Sequence, residues 1–156
     1  MKERVCFSRK KGEIVLFIDA NIFLEVCLNQ AKSLECQALL TYLETANPCC
    51  FITSFHIFSI ILVIQHKSPD INVARKFIEA FQSYSGIDIY NPGFATMTTA
   101  INNQAQYNLD FDDGLVIASM QDLNITELVS FDTHFDSVSL ISRIDPTLAL
   151  EKLQGA

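Results

Sequence analysis

The sequence contains no tryptophan, only five glycines and four prolines, and five cysteines without a Cys-X-X-Cys pair. An odd set of cysteines without that spacing predicts neither a disulfide scaffold nor a zinc site. We interpret the thiols as reduced and the protein as cytoplasmic. No signal peptide is visible, and the longest apolar stretch, Ile57 to Ile64, has eight residues including a serine. A transmembrane helix needs about 20, so we expect no membrane span.

The remaining composition predicts one folded domain. The chain has 156 residues, of which 49% are apolar and 19% are charged. This length suits a single domain, and this apolar fraction excludes a disordered chain. No repeat, low-complexity segment or linker divides the sequence. We therefore expect a basic, flexible N-terminal arm over 1–12 and a single domain over 13–156.

Charge is distributed unevenly along the chain. Eleven basic and eighteen acidic residues give a net charge of −7, and five of the basic residues lie among the first eleven positions. Between Lys76 and Arg143 there is no lysine or arginine, although nine acidic residues fall in this interval. A solvated acidic face and a cation-binding site are both compatible with this pattern, since aspartate favours helix caps as well as metal coordination.

Apolar runs and helical spacings alternate from residue 14 to the C-terminus. They predict strands over 14–18, 49–53, 87–90, 128–131 and 140–144. Between these strands they predict helices over 20–28, 32–46, 54–66, 94–107 and 112–122, and a short helix at the end. A further helix starts at Ser68-Pro69-Asp70 and has apolar residues on one face as far as Phe81. Thr53 or Ser54 is the expected cap of the third helix, and Asp110 or Asp112 that of the sixth. This alternation predicts an α/β fold in which helices cover both faces of a parallel sheet.

Three aspartates fall where such a sheet places its ligand site. Asp19 follows the first strand, Asp132 follows the fourth, and Asp113 opens the helix that leads to the fourth strand. Ligands bind at the carboxyl ends of parallel strands, and Asp136 is close enough in sequence to reach the same place. Carboxylates gathered there repel one another, and no nearby lysine or arginine neutralises them. We therefore predict a site for Mg²⁺ or Mn²⁺ formed by Asp19, Asp113, Asp132 and Asp136.

Three segments resemble the motifs of PIN-domain ribonucleases. Phe17-Ile18-Asp19-Ala20-Asn21-Ile22-Phe23 is similar to the opening motif. The family's second and last motifs resemble Asp110-Phe111-Asp112-Asp113-Gly114-Leu115-Val116-Ile117-Ala118 and Ser130-Phe131-Asp132-Thr133-His134-Phe135-Asp136. The resemblance covers residues 14 to about 145.

The resemblance implies a three-layer α/β/α sandwich on a mainly parallel sheet of four to five strands. It also implies Mg²⁺- or Mn²⁺-dependent endonucleolytic cleavage of RNA, with Asp19, Asp113 and Asp132 as catalytic residues. Many small prokaryotic members are VapC-type toxins, which are homodimers inhibited by a cognate antitoxin. We therefore expect an RNA substrate, a small basic antitoxin and a homodimer.

The third helix departs from the family pattern. The family places a glutamate about six residues after a serine or threonine at the end of the second strand. Counting from Thr53 gives Ser59, and the segment 51–65 contains no acid. Glu25, Asp110 or Asp112 could replace the missing ligand, and Asn21 is expected to orient Asp19. We interpret His56 as a structural histidine rather than a catalytic one.

Two other classes remain open. Phosphoryl-transfer proteins of the haloacid-dehalogenase or receiver type also use an aspartate after the first strand. Both types need a lysine late in the chain, and no lysine or arginine lies between Lys76 and Arg143. Proteins of the haloacid-dehalogenase type also need a second aspartate at the position that Asn21 occupies here. The stronger alternative is a catalytically impaired PIN-like module that binds RNA or a protein partner, which the missing glutamate favours. Glycine-rich nucleotide loops are absent from the sequence.

Overall fold

The structure is a computed structural model that describes residues 13–47 and 49–155. The arm predicted over 1–12 lies outside these residues, so its role stays a prediction. Five strands are described: β1 (Leu16–Ile18), β2 (Cys50–Thr53), β3 (Ile87–Tyr90), β4 (Glu127–Val129) and β5 (Ser142–Ile144). The helices are α1 (Ala20–Cys27), α2 (Ser33–Leu43), α3 (Ser54–Lys67), α4 (Ile71–Ser83), α5 (Phe94–Tyr107), α6 (Phe111–Leu123) and α7 (Pro146–Gln154). A 3-10 turn over Thr133–Ser137 follows β4.

The predicted three-layer sandwich is confirmed. The strands form one parallel sheet in the order β3-β2-β1-β4-β5. Successive side chains of a strand point to opposite faces, so β1 contributes to both cores. Leu16 and Ile18 pack with residues of α1, α2, α3, α4 and α7, whereas Phe17 packs with residues of α6.

Helix boundaries follow local hydrogen bonding. Thr53 caps α3, and Asp110, rather than Asp112, caps α6, because their side chains accept backbone amides of the first turn. Asn108 and Asn124 end α5 and α6 with left-handed backbone, at φ 54° and 53°. Helix α6 lies close to α5 at Gly114, where a Cβ atom would meet the Ala100 carbonyl oxygen at 2.6 Å. Only glycine allows this approach.

The order of the strands defines where the site lies. The chain runs from β1 outward through β2 to β3 and then returns to β4 on the other side of β1. This reversal opens a crevice at the carboxyl ends of β1 and β4, the usual ligand position in such sheets. Strand β4 ends before the predicted residue 131, because the Ser130 hydroxyl accepts the backbone amide of Asp132 and the chain turns there.

Two sequence features can be compared with the described residues. None of the described helices has the length and apolar character of a membrane span. Cys27, Cys36, Cys49 and Cys50 are free thiols, and the fifth cysteine lies outside the described residues.

Candidate metal centre

Two predicted site residues lie at the crevice between β1 and β4. Asp19 follows β1 directly, and its backbone amide donates to the Val129 carbonyl at 3.0 Å, at the end of β4. Asp132 lies three residues beyond Val129, at the start of the 3-10 turn. Strand pairing therefore brings together two carboxylates that are 113 positions apart in the sequence.

The Asp19 carboxylate is held by two polar side chains. The Asn21 amide donates to Asp19 Oδ2 at 2.8 Å, as the sequence led us to expect, and the Ser130 hydroxyl donates to the same oxygen at 2.5 Å. Burial raises the pKa of Asp19 to about 6, and the Ser130 hydrogen bond opposes this shift. The carboxyl group is therefore fixed in orientation and ionises close to neutral pH.

Ser130 connects the acids and was missed by the sequence analysis. Its fully buried hydroxyl donates to Asp19 and accepts both the Asn21 amide, at 3.1 Å, and the backbone amide of Asp132, at 3.0 Å. The available signal was its position two residues before Asp132 in the last motif. A small hydroxyl at a strand end can bond backbone and side chain together.

Asp113 reaches the centre from the first turn of α6. Asp110 Oδ1 accepts the Asp113 backbone amide at 3.1 Å, so the cap fixes this turn. Burial, and after it the nearby charges of Asp110, Asp132 and Asp19, together raise the pKa of Asp113 to about 7. The carboxyl group of Asp113 therefore lies within electrostatic reach of two of the other predicted ligands, Asp19 and Asp132.

Asp113 and Asp132 converge with a histidine that the sequence analysis left without a role. One ligand atom from each of Asp113, Asp132 and His134 lies within 4.8 Å of the other two. Asp132 Oδ1 accepts the His134 backbone amide at 2.9 Å and lies 3.0 Å from His134 Nδ1. The sequence offered little signal for His134, because the turn that carries it has no periodic pattern.

This donor set fits a divalent cation. Carboxylate oxygens and a ring nitrogen lie together, and the mutual repulsion that raises the pKa of Asp113 would be relieved by positive charge. The amide oxygen of Asn21 is also buried without a hydrogen-bond partner among the described residues. A buried polar atom of this kind commonly meets water or an ion.

A comparison with protein-family models identifies the family of the domain that carries these residues. The model of the PIN domain matches residues 16–140, which include β1, the first turn of α6 and the 3-10 turn. The chain belongs to the PIN-domain family. Comparison with curated protein sequences finds no significant match. Because the chain belongs to the PIN-domain family, we set aside the phosphoryl-transfer classes that the position of Asp19 had left open.

Solved structures share this PIN fold at low sequence identity. A chain of a toxin–antitoxin complex from Klebsiella pneumoniae has a TM-score of 0.60 and 16% identity, covering 85% of this chain and 97% of that one. The sarcin–ricin loop cleaving toxin VapC20 of Mycobacterium tuberculosis has a TM-score of 0.66 and 12% identity, and the match covers 80% of this chain and 95% of that one. VapBC2 of Rickettsia felis, bound to a promoter DNA fragment, has a TM-score of 0.66 and 13% identity, and the match covers 85% of this chain and 98% of that one. These likenesses concern the fold.

Asp136, like Asp19, is not part of the group formed by Asp113, Asp132 and His134 in this PIN domain. Its exposed carboxylate pairs with Arg143, with Oδ1 2.7 Å from Nε and Oδ2 2.9 Å from Nη2, which lowers its pKa. The expectation that no cation lies near the acids needs correction. Arg143 also donates to the Ser130 carbonyl at 3.2 Å, because β5 pairs beside β4. Metal ligation by Asp136 stays a prediction.

The start of α3 is fixed by a buried hydroxyl–imidazole pair. Thr53 Oγ1 accepts the His56 backbone amide at 3.1 Å and lies 2.5 Å from His56 Nδ1. Both side chains are buried, and desolvation lowers the pKa of His56. The surroundings therefore favour the neutral ring, and the structural role of His56 stays a prediction. Ser54 is half-buried as the first residue of α3, and the cap is Thr53.

Ser59 lies half-buried in the middle of α3. It follows His56 by three residues, so the two share one side of the helix, and the His56 ring lies near the charges of Asp112 and Asp110. Of the possible replacements for the missing glutamate, Asp110 caps α6 beside Asp113, while Glu25 accepts the Lys32 backbone amide. Ligation through Ser59 stays a prediction.

Proposed function

We propose that this PIN protein is a divalent-metal-dependent endoribonuclease that cleaves RNA phosphodiester bonds as the toxin of a toxin–antitoxin pair. One observation carries the proposal: Asp113, Asp132 and His134 converge within 4.8 Å at the crevice beside Asp19. The PIN-domain match and the VapC-like fold support the same function.

The residues of the site would have two kinds of role: some hold the ion, and others orient the residues that hold it. Asp113 and Asp132, with Asp19, would hold a Mg²⁺ or Mn²⁺ ion. When bound, such an ion activates water and stabilises the charge that develops at the phosphate. Ser130 and Asn21 keep Asp19 in one orientation through their hydrogen bonds, and Asp110 fixes the turn that carries Asp113. The protein's part is thus to hold oxygen ligands at a fixed spacing.

RNA is the proposed substrate despite the acidic body. A net charge of −7 repels phosphates at long range, and cations normally dominate affinity for nucleic acids. Bound divalent ions would reverse the local charge at the crevice, and the basic arm over 1–12 would supply five positive side chains for the RNA backbone. The proposal therefore predicts that binding of RNA depends strongly on divalent ions.

The decisive experiment is cleavage of a mixed RNA pool by the full-length protein with Mn²⁺, with Mg²⁺ and with chelator. We expect cleavage in Mn²⁺ that chelator abolishes and that Asp113→Asn reduces by at least about a hundredfold, as expected for removal of one electrostatic ligand. Asp70→Asn is the matched control, because asparagine replaces aspartate as the cap of α4 without loss. Cleavage that survives Asp113→Asn would contradict the proposal.

A second candidate function rests on Ser59. Since no acid occupies the middle of α3, the protein would bind RNA or a protein partner through the same crevice without cutting. The same experiment separates the two functions. Divalent-dependent retention of RNA by a filter, without cleavage products in Mn²⁺, would favour the binding module.

A small basic antitoxin is the proposed partner. The similar structures from Klebsiella pneumoniae and Rickettsia felis are toxin–antitoxin assemblies, and the acidic interval of this chain would attract a basic segment electrostatically. We propose that the pair acts in the cytoplasm. Expression of the protein should arrest growth, and co-expression of a small basic protein from the neighbouring reading frame should restore it. Growth unaffected by the protein alone would contradict the toxin assignment.

A further inference from the structure

The environment of His134 is unusual for an exposed side chain. Its side chain is 79% exposed, so burial does not account for its orientation. The ring nevertheless lies against Asp132, with Nδ1 3.0 Å from Oδ1, and one of its nitrogens falls within 4.8 Å of the Asp113 carboxylate. A polar ring is thus presented to two acids at the surface of the crevice.

The local backbone holds this arrangement. Asp132 is the N-cap of the 3-10 turn, and its Oδ1 accepts the backbone amide of His134 at 2.9 Å. Arg143, the nearest cation along the sheet, is occupied by Asp136 and the Ser130 carbonyl. The imidazole therefore lies beside Asp132 with no competing partner from Arg143.

The spacing suits two neighbouring ligands of one ion. Ligands that lie 2.0–2.1 Å from an octahedral ion at right angles are about 3 Å apart. His134 Nδ1 and Asp132 Oδ1 lie 3.0 Å apart, in direct polar contact without an ion, and an ion placed against both atoms would find them at that spacing. The imidazole is therefore close enough to the carboxylate for both groups to bind the same ion.

We infer that His134 is a direct ligand of the ion held by Asp113 and Asp132, and that the centre therefore prefers Mn²⁺ to Mg²⁺. Mg²⁺ takes oxygen ligands, whereas imidazole nitrogen favours divalent transition ions. A nitrogen ligand at this position would compensate for the acid that α3 lacks at Ser59. The inference rests on the proposed function, because it assigns the metal class of the same site.

The test measures metal binding by the full-length protein, without RNA. Mn²⁺ affinity is obtained from the electron paramagnetic resonance signal of free Mn²⁺, and Mg²⁺ affinity by competition. Pulsed measurements report ¹⁴N coupling to bound Mn²⁺. The variants are His134→Ala, Asp113→Asn and the control His66→Ala, which removes an exposed imidazole from the last turn of α3. Circular dichroism checks that each variant is folded.

We expect ¹⁴N coupling in the unaltered protein and in His66→Ala, and its loss in His134→Ala. Even a partner outside the ligand set is worth about 10–100-fold in metal affinity, so His134→Ala should weaken Mn²⁺ binding at least about tenfold. Mg²⁺ binding should change much less.

Three results would overturn the inference. Unchanged Mn²⁺ affinity would show that His134 is not a ligand. Equal losses for both ions without ¹⁴N coupling would show that His134 only orients Asp132. If Asp113→Asn leaves the affinity for both ions unchanged, or if the unaltered protein binds neither ion, the predicted metal centre does not exist. Either result would contradict the proposed function as well.

Discussion

The two carboxylates at the centre with raised pKa values differ in the effects that act on them. Asp19 accepts hydrogen bonds from Asn21 and Ser130, which favour its charged form, while burial favours its neutral form. For Asp113, burial and the neighbouring charges act in the same direction and raise its pKa to about 7. Without a cation the folded protein therefore holds protons that the unfolded chain releases above its ordinary pKa of about 3.9.

The first prediction concerns the pH dependence of the free energy of unfolding in chelator. Because the pKa values of Asp19 and Asp113 are raised to about 6 and about 7, their protonation stabilises the fold at low pH. That contribution is lost as the pH rises through these values. One pKa unit is worth about 1.4 kcal/mol, but Asp113 is only half-buried, so screening leaves on the order of 1–2 kcal/mol.

Urea unfolding at pH 5 and pH 8 checks this prediction against Asp113→Asn. His56 acts in the opposite direction, because its lowered pKa removes stability as the pH falls. The difference between the two proteins isolates Asp113. We expect the unaltered protein to lose stability relative to Asp113→Asn on going from pH 5 to pH 8. If the difference in the free energy of unfolding between the two proteins is the same at both pH values, ionisation of Asp113 does not destabilise the fold.

The predictability of the site varied from residue to residue for physical reasons. Asp19 and Asp132 were predicted because each follows an apolar strand, and strand ends of a parallel sheet meet at one edge. Ser130 and His134 were missed, because hydrogen bonds within an irregular turn leave no periodic trace. Arg143 was judged remote because it only enters the site through the pairing of β4 with β5.

At the scale of elements, short segments rich in apolar residues located every described strand, and helical spacing located the helices. The limits of β1 and β4 shifted by one or two residues, because hydrogen bonding rather than hydrophobicity ends a strand. The 3-10 turn was not predicted, since it depends on Asp132 accepting the His134 amide. The cap of α6 was left between two aspartates, and only the hydrogen bond to the Asp113 amide decides for Asp110.

The second prediction concerns Thr53, which starts α3. Thr53→Val keeps the shape but removes the oxygen that accepts the His56 amide and pairs with its ring. Loss of the cap costs about 1 kcal/mol, and the unpaired buried groups of His56 add about 1–2 kcal/mol. We expect the melting temperature to fall by roughly 5–10 °C in calorimetry. Thr53→Ser keeps the hydroxyl, so its melting temperature should fall much less. Equal falls for the two variants would show that the hydroxyl contributes nothing to stability.

The third prediction concerns Ser59, on the side of α3 that His56 shares. If Ser59 occupies a ligand position, Ser59→Glu adds a carboxylate toward the acids of α6, raises Mn²⁺ affinity and increases cleavage. If Ser59 only allows close packing, the substitution buries an unpaired charge and destabilises the fold by about 2–4 kcal/mol. We expect the first outcome, measured as Mn²⁺ affinity and as melting temperature with and without Mn²⁺.

Ser59→Gln is the control for size, because it has the shape of glutamate without the charge. A fall in melting temperature for Ser59→Glu that Mn²⁺ restores, with no such recovery for Ser59→Gln, supports the ligand position. A fall that Mn²⁺ leaves unchanged in both variants contradicts it.

At the scale of the whole molecule, exposed apolar side chains form rows on two helices. On α3 the row is Phe55, Phe58 and Leu62, and on α5 it is Phe94, Met97 and Ile101, with Phe94 89% exposed. Phe111 links the two helices, since its ring lies 6.1 Å from that of Phe55 and it packs against the small core cluster that includes Ala100 of α5. Because contiguous exposed apolar side chains are uncommon on monomeric proteins, we expect these rows to form an interaction surface.

The last prediction is that these two rows form the interface of the proposed homodimer. A two-fold interface is self-complementary, and a stable one buries about 800 Å² on each partner, which two rows of large side chains can supply. Light scattering after size exclusion should give about 35 kDa, twice the 17.5 kDa of one chain. Phe58→Asp places a charge within the interface and should yield the monomer, since an unpaired buried charge costs several kcal/mol. Leu34→Asp, at an 87% exposed leucine of α2, should remain dimeric. A monomer in the unaltered protein, or equal effects of both substitutions, would contradict this interface.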